Sequence, residues 1–161
     1  MLEALANEFS IENDLNPFIL VIRILGTVLF CGIIGFEREY RKNTAGLRTN
    51  ILVGVASATF ALIALALLEA PFADSEFVKA DPLRLVEAVT NGVAFLAAGI
   101  VVFSKGEVRG LTTGASLWVA AAIGLAVGLG YWTIAIMVTV TGFIVLAGLR
   151  QLEVAFGVKE P

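Results

Sequence analysis

The sequence contains no histidine and a single cysteine, Cys31, among its 161 residues. Without histidine, the chain lacks the commonest general base and the commonest transition-metal ligand of proteins. A lone cysteine excludes an intrachain disulfide, and no apolar stretch carries paired carboxylates. We therefore expect no enzyme activity, no metal site and no cofactor, and we expect Cys31 to be a small buried hydrophobic residue.

Charged residues are also scarce. They make up 16% of the chain, whereas 58% of it is hydrophobic and the mean hydropathy is +0.92. A soluble domain of this size could not cover its surface with so few charges, but a lipid bilayer removes that requirement. The composition predicts an integral membrane protein that forms a single bundle.

Five apolar stretches are each close to the length that crosses a hydrocarbon core of about 30 Å. They cover residues 17–36, 51–70, 82–103, 111–130 and 131–149. Each is predicted to be a helix, because backbone groups in lipid must be hydrogen-bonded internally and the alternation of a barrel strand is absent. The predicted fold class is all-α, a polytopic transmembrane bundle of about five helices over residues 17–149. An acidic extracytoplasmic segment, 1–16, would precede it and a short cytoplasmic tail, 150–161, would follow it.

Basic residues predict the orientation of these helices. With the N-terminus outside and the C-terminus in the cytoplasm, most Lys and Arg residues fall in cytoplasmic segments, as the positive-inside rule requires. The cytoplasmic set would be Arg38, Arg41, Lys42, Arg48, Lys105, Arg109, Arg150 and Lys159, and the outer set Lys79 and Arg84. On the outer side, Asp81 before a proline predicts a helix N-cap, and Asp81 with Arg84 forms an outer-side motif.

Small residues at intervals of four predict where helices meet closely. Ala120, Gly124 and Gly128 form such a stripe. Small-xxx-small faces allow close approach in lipid, where no hydrophobic effect drives helices together. The stripe fits packing within one chain and also fits an interface of a homo-oligomer.

A weak internal similarity appears at an offset of 64 residues. Gly35 corresponds to Gly99 and Gly46 to Gly110. This spacing favours a parallel duplication of a helix hairpin about an axis along the membrane normal. The alternative is chance, because glycine is common in membrane helices.

Two charges are predicted to lie within the membrane. Arg23 and Glu87 lie six and five residues after the prolines that begin their stretches, and therefore at similar depth. Unpaired charges at that depth are costly, so we predict that Arg23 and Glu87 pair between the first and third helices. Asn91, one turn further along the Glu87 face, would extend the polar stripe. The alternative is that both charged side chains snorkel to the outer headgroups.

Polar residues also gather at the predicted cytoplasmic ends of the helices. Two helix N-termini with arginines and threonines close by could bind an anion through free N–H groups and the helix dipole. A lipid headgroup, a phosphorylated ligand or an acidic partner loop could be that anion. The alternative is that the arginines only determine topology and pair with nearby glutamates. The residues of this site are Glu37, Arg38, Glu39, Arg48, Thr49, Asn50, Arg109, Thr112 and Thr113.

Several short segments resemble motifs of the MgtC/SapB family of membrane proteins. Residues 35–39 (Gly-Phe-Glu-Arg-Glu) and 45–49 (Ala-Gly-Leu-Arg-Thr) are similar to that family's G-x-E-R-E and A-G-L-R-T motifs. Residues 81–84 and 108–118 are similar to its later motifs. The chain departs from the family pattern at Asn50, where the family usually has His, and at Glu87, where it often has Gln.

The resemblance implies a multi-pass protein of the bacterial inner membrane, in a short form without the C-terminal soluble domain of the MgtC branch. It implies a regulatory or binding protein linked to magnesium limitation, one that restrains a membrane partner such as the ATP synthase. The alternative is a transporter or channel subunit for a small ion, Mg²⁺ or H⁺, or for a solute. The expected partners are the lipid bilayer, a membrane protein, an anionic lipid or phosphate ligand and a second copy of the chain, but no nucleic acid.

Overall fold

The computed structural model describes residues 16–69, 81–104 and 107–149. Five helices follow one another within these residues, and the fifth continues as a π-helix over Ile144–Gly148. They are α1 (Pro17–Tyr40), α2 (Leu47–Glu69), α3 (Pro82–Ile100), α4 (Leu111–Gly128) and α5 (Trp132–Phe143). The predicted all-α bundle is confirmed. The predicted tail 150–161, and all of the predicted acidic segment except Asn16, lie outside the described residues.

The first four helices are long and apolar enough to cross a membrane, and the apolar helix over residues 132–148 is shorter. The prediction of a bundle of about five helices is therefore confirmed, and four of the five are long and apolar enough to cross a membrane. Which end of the bundle faces the cytoplasm stays a prediction.

Two of the helices, α1 and α3, begin with the same capping arrangement. The side chain of Asn16 accepts a hydrogen bond from the Phe18 N–H at 2.9 Å, and that of Asp81 accepts one from the Leu83 N–H at 2.9 Å. In both helices a proline follows the cap, where its missing N–H has no consequence. The caps fix where α1 and α3 start and thus which faces they present.

A short antiparallel β-hairpin joins α3 to α4. Its strands are β1 (Val102–Ser104) and β2 (Glu107–Arg109). These strands are not predicted by the sequence pattern, and the predicted third helix wrongly extends to residue 103. Gly110 follows the hairpin with a φ of +91°, and a Cβ there would lie 2.5 Å from the Ile100 carbonyl oxygen. Only glycine tolerates both the left-handed conformation and this close approach.

Helix α4 forms the centre of the bundle. About two-thirds of its residues (67%) are buried, against 17 to 28% in α1, α2 and α3. It contacts all four other helices. Its composition makes this position suitable, because alanine and glycine allow several neighbours to approach one helix at the same time.

The small-residue stripe of α4 packs inside this chain, mainly on α2. A Cβ at Gly124 would collide with the Gly54 carbonyl oxygen, and a Cβ at Gly128 would lie 2.7 Å from the Ala58 carbonyl oxygen. Ala120 is fully buried, and its carbonyl accepts a hydrogen bond from the Cys31 thiol at 3.4 Å. The backbones of α2 and α4 are therefore in contact, which is the closest packing that helices achieve.

Candidate functional site

Buried charges gather where α1 ends and α4 begins, a region we call the Arg38 end. The Arg38 side chain is only 4% exposed, although it carries a full charge. Its Nη2 donates to Asn43 Oδ1 at 2.7 Å and to Thr113 Oγ1 at 3.3 Å. The charge thereby joins the last turn of α1 to the first turn of α4, because a buried guanidinium has to keep its donors satisfied.

A second buried pair connects the same end of α1 to the π-helix. Glu37, 6% exposed, forms an ion pair with Arg41, the residue that caps the end of α1. Arg41 Nη2 also lies 3.5 Å from the Ala147 carbonyl oxygen of the π-helix. Arg41 and Asn43 are not among the site residues predicted from the sequence. The i,i+4 spacing of Glu37 and Arg41 was a signal that could have indicated the first of them.

The start of α2 is capped by a side chain from α1. Glu39 Oε2 accepts a hydrogen bond from the Leu47 N–H at 3.0 Å, so its carboxylate lies at the positive end of the α2 dipole. Gly46 leaves the space for that carboxylate, since a Cβ at this position would collide with it. Asn50 is fully buried, and its amide donates to the Gly46 carbonyl at 2.8 Å and to the Ala45 carbonyl at 3.3 Å.

The nine residues predicted for this end thus divide into two sets. Glu37, Arg38, Asn50 and Thr113 are buried, and the Arg38–Thr113 hydrogen bond joins α1 to α4. The exposed or partly exposed residues are Glu39, Arg48, Thr49, Arg109 and Thr112. An anion or a partner from outside could reach the second set only.

The predicted pair of Arg23 and Glu87 is wrong in this structure. Arg23 Nη1 instead donates to the Gly128 carbonyl oxygen, at the C-terminal end of α4, at 2.9 Å. Carbonyl groups in the last turn of a helix lack intrahelical partners and carry the negative end of the dipole, so they attract a guanidinium. Gly130, with a φ of +84°, lies against that guanidinium. Glu87 is exposed on α3.

The other polar residues predicted on α3 are also exposed. Asn91 is exposed one turn after Glu87, and Arg84 is exposed one turn before Glu87. Asp81 caps the helix as described above. Within the described ranges, no group of three or more His, Cys, Asp or Glu residues is placed to hold a metal ion.

Comparison with known proteins identifies relatives along most of the chain. The model of the MgtC family matches residues 24–155. The chain is 38% identical over 135 residues to a protein of Escherichia coli K12 named "Putative magnesium transporter YhiD", covering 82% of this chain and 61% of that protein. It is 40% identical over 131 residues to the protein MgtC of Brucella abortus, covering 80% of this chain and 50% of the relative.

A third relative is the protein MgtC of Salmonella typhimurium, 36% identical over 129 residues, with 80% of this chain and 52% of the relative covered. The chain thus spans about half to three-fifths of the length of these relatives. No solved structure matches the chain. The resemblance expected from the sequence motifs is confirmed.

Proposed function

The chain belongs to the MgtC family, and from this premise we propose that it is a non-enzymatic regulatory protein that binds another membrane protein. The proposal places it in the bacterial inner membrane, with its N-terminus outside and the Arg38 end in the cytoplasm. It further assigns the protein to the response to magnesium limitation. The name of the Escherichia coli relative, which refers to magnesium, supports that link.

The single observation that carries the proposal is the hydrogen bonding of the buried hydroxyl groups among the described residues of the bundle. Away from the Arg38 end, the buried hydroxyl groups belong to Thr27, Ser57, Ser116 and Thr139. Each donates to a backbone carbonyl of its own helix, three or four residues earlier, at 2.7 to 2.9 Å. Such hydroxyls are satisfied locally and do not line a path. A permeation path needs polar groups that replace the hydration shell of an ion, so this interior favours a binding role.

The surface proposed for partner binding is the exposed part of the Arg38 end. Arg48, in the first turn of α2, and Arg109, at the end of β2, are both exposed, and Thr112 accompanies them on α4. Cations just outside the hydrocarbon attract anionic headgroups and acidic loops. The proposed partner is the membrane sector of the ATP synthase, contacted through such a loop.

The proposed lack of a permeation path is tested by measuring ion flux into proteoliposomes that contain the purified, folded protein. Mg²⁺, H⁺ and Na⁺ are tried in turn, with Glu87→Gln as the matched variant, because this change removes the intramembrane charge and keeps the shape. We expect no flux above that of empty liposomes in either sample. Flux in the wild type that disappears in Glu87→Gln would overturn the regulatory proposal.

The proposed contact with the ATP synthase is tested in inverted membrane vesicles by measuring ATP-driven proton pumping with and without the protein. We expect the protein to reduce pumping and the double variant Arg48→Ala/Arg109→Ala to relieve that reduction. The matched control is Arg48→Lys/Arg109→Lys, which keeps both charges and should still restrain the pump. If the alanine and lysine variants reduce pumping equally, the charges of Arg48 and Arg109 do not bind the partner.

The second candidate function is a transporter or channel subunit. Two observations favour it. The Escherichia coli relative is named as a magnesium transporter, and the carboxylate of Glu87 is exposed within the span of α3. Mg²⁺ sheds its water reluctantly and needs several oxygen ligands, so one carboxylate per chain would not suffice. The flux experiment distinguishes this candidate from the first.

A further inference from the structure

Helix α3 is held to the bundle along a narrow strip and leaves its opposite face uncovered. Among the α3 side chains that the structure describes, only Val89 and Val93 are buried, both in the cluster centred on α4. The residues on the side away from this strip are all exposed. Those directly opposite Val89 and Val93 are Arg84, Glu87, Asn91, Ala94 and Ala98.

These five residues, which we call the α3 seam, follow one another at intervals of three, four, three and four. This alternation is the a/d spacing of a heptad repeat, which keeps one stripe of a helix facing a neighbouring helix along its whole length. The buried residues Val89 and Val93 lie outside the seam, so the two stripes do not compete for the same neighbour. The spacing therefore places all five residues on one stripe of α3, where a single neighbouring helix could contact them together.

The outer half of the seam is polar, although α3 qualifies as a membrane span over Leu83–Ile100. Glu87 lies about 7 Å and Asn91 about 13 Å along the helix from its first residue, at 1.5 Å per residue. Charged groups within a span almost always face protein or a water-filled cavity and pair with another group. With Arg23 bound to the Gly128 carbonyl, no ion-pair partner for the carboxylate of Glu87 is found among the residues that the structure describes.

We propose that the partner is a second copy of this chain, packed along the α3 seam in a parallel dimer. Two copies inserted with the same orientation have parallel α3 helices, whichever way they face, and a two-fold axis sets the two seams against each other at the same depth, so that a residue can reach the copy of one that lies a turn away. Arg84 of one protomer would pair with Glu87 of the other, and the two Asn91 amides would hydrogen-bond to each other. Ala94 and Ala98 would let the helices approach closely in the inner half.

Charge complementarity favours a second copy over an unrelated partner. The seam carries one cation and one anion, so two copies bring together two of each and the assembled seam is neutral. A purely basic partner helix would satisfy Glu87 but would repel Arg84. A single polar Asn at an a position is the feature that fixes register and a two-stranded state in helical pairs. This inference does not depend on what the protein regulates or carries.

The first test is cross-linking of the full chain in liposomes. Cys31→Ser provides a cysteine-free background, and Ala98→Cys then places one thiol on the seam. The matched control is Leu96→Cys, which is also exposed, at 41%, but points away from the seam. Under mild oxidation we expect disulfide-linked dimers with Ala98→Cys and at least about tenfold fewer with Leu96→Cys, because the thiols must come within bonding reach. Equal cross-linking of both variants, or none with either, would overturn the proposal.

The second test reverses the charges and measures energy transfer between labelled copies in a bilayer. Arg84→Glu makes the seam wholly acidic and Glu87→Arg makes it wholly basic. Each variant alone should self-associate about tenfold more weakly than the wild type, and an equimolar mixture of the two should recover association. Recovery cannot come from misfolded protein. A wild type that stays monomeric in lipid, with Glu87 satisfied by headgroups or by another protein, overturns the proposal, as does a mixture that fails to associate.

Discussion

The two helix hairpins, α1–α2 and α3–α4, carry similar residues at corresponding positions and use them differently. Gly35 of α1 lies against α2, where an added Cβ would be 2.8 Å from the Leu47 Cα. Its counterpart Gly99 has nothing within 4 Å of the same point. One glycine thus allows two backbones to approach, whereas the other leaves an open surface. The comparison shows that a matching residue type does not imply a matching environment.

The charged counterparts differ in the same way. Arg23 donates a hydrogen bond inside the chain to the end of α4, whereas Glu87 is exposed. One physical reason lies at the helix starts: Pro17 and Pro82 are 65 residues apart, whereas the two charges are separated by 64. A difference of one residue turns a side chain by about 100° relative to the capped start of its helix. The first hairpin therefore directs its intramembrane charge into the bundle, and the second directs its own outward.

The largest effect is expected from replacing each of the two corresponding glycines with leucine. Gly35→Leu should destabilise the bundle by more than about 3 kcal/mol, because the side chain would meet the backbone of α2 and neither helix can yield cheaply. Gly99→Leu, the same change at the counterpart, should have little effect on the free energy of unfolding. Both are measured by denaturation of the purified protein in mixed micelles. Equal destabilisation by the two variants would remove the distinction between the hairpins.

The next effect concerns buried and exposed charges within the Arg38 end. Arg38→Leu should destabilise the protein by about 2–3 kcal/mol, since it leaves buried polar partners on Asn43 and Thr113 without their donor. Arg48→Leu, an exposed arginine at the same end, serves as the matched control and should scarcely change the unfolding transition. If Arg48→Leu proves as damaging as Arg38→Leu, our division of this end into buried and exposed sets is incorrect.

A smaller effect distinguishes the two intramembrane charges. Arg23→Met should cost about 1.5 kcal/mol through the lost bond to the Gly128 carbonyl. Glu87→Gln should change the stability of the isolated chain less. In a double-mutant cycle, measured under conditions that keep the protein monomeric, the two changes should be additive, because the side chains do not touch. A coupling of about 1 kcal/mol or more would instead restore the pair expected from the sequence.

Much of the fold could be predicted because hydropathy and length determine where a chain crosses a bilayer. Each helix start could be placed to within a few residues, and the Asp81-Pro82 cap was visible in the sequence. The hairpin over Val102–Arg109 could not be found, since strands of three residues carry too little periodicity to be recognised. The π-helix after α5 likewise leaves no recognisable pattern in an apolar segment.

The site was less predictable because sequence spacing determines the depth of a residue better than the direction it faces. The depths of Arg23 and Glu87 agreed, yet their helices turn them toward different neighbours. The true partner of Arg23 is a backbone carbonyl, which exists at every position and therefore leaves no sequence signal. The burial of Arg38 and Asn50 also depended on how α1, α2 and α4 meet, which no single segment encodes.

The smallest expected effect lies where the two hairpins agree, at the caps of α1 and α3. Asn16→Ala and Asp81→Ala should each destabilise the protein by about 1 kcal/mol, because each removes one acceptor from the first turn of a helix. Asn16→Asp and Asp81→Asn, which keep that acceptor, are the matched controls and should alter stability by only a few tenths of a kcal/mol. Chemical denaturation of the four variants measures all of these differences. If the two alanine variants lose equal stability, the hairpins differ only in the directions that the side chains of α1 and α3 face. A clearly larger loss at Asn16 would mean that the contrast extends to the helix starts, with α1 more tightly coupled to the core than α3 from its first turn.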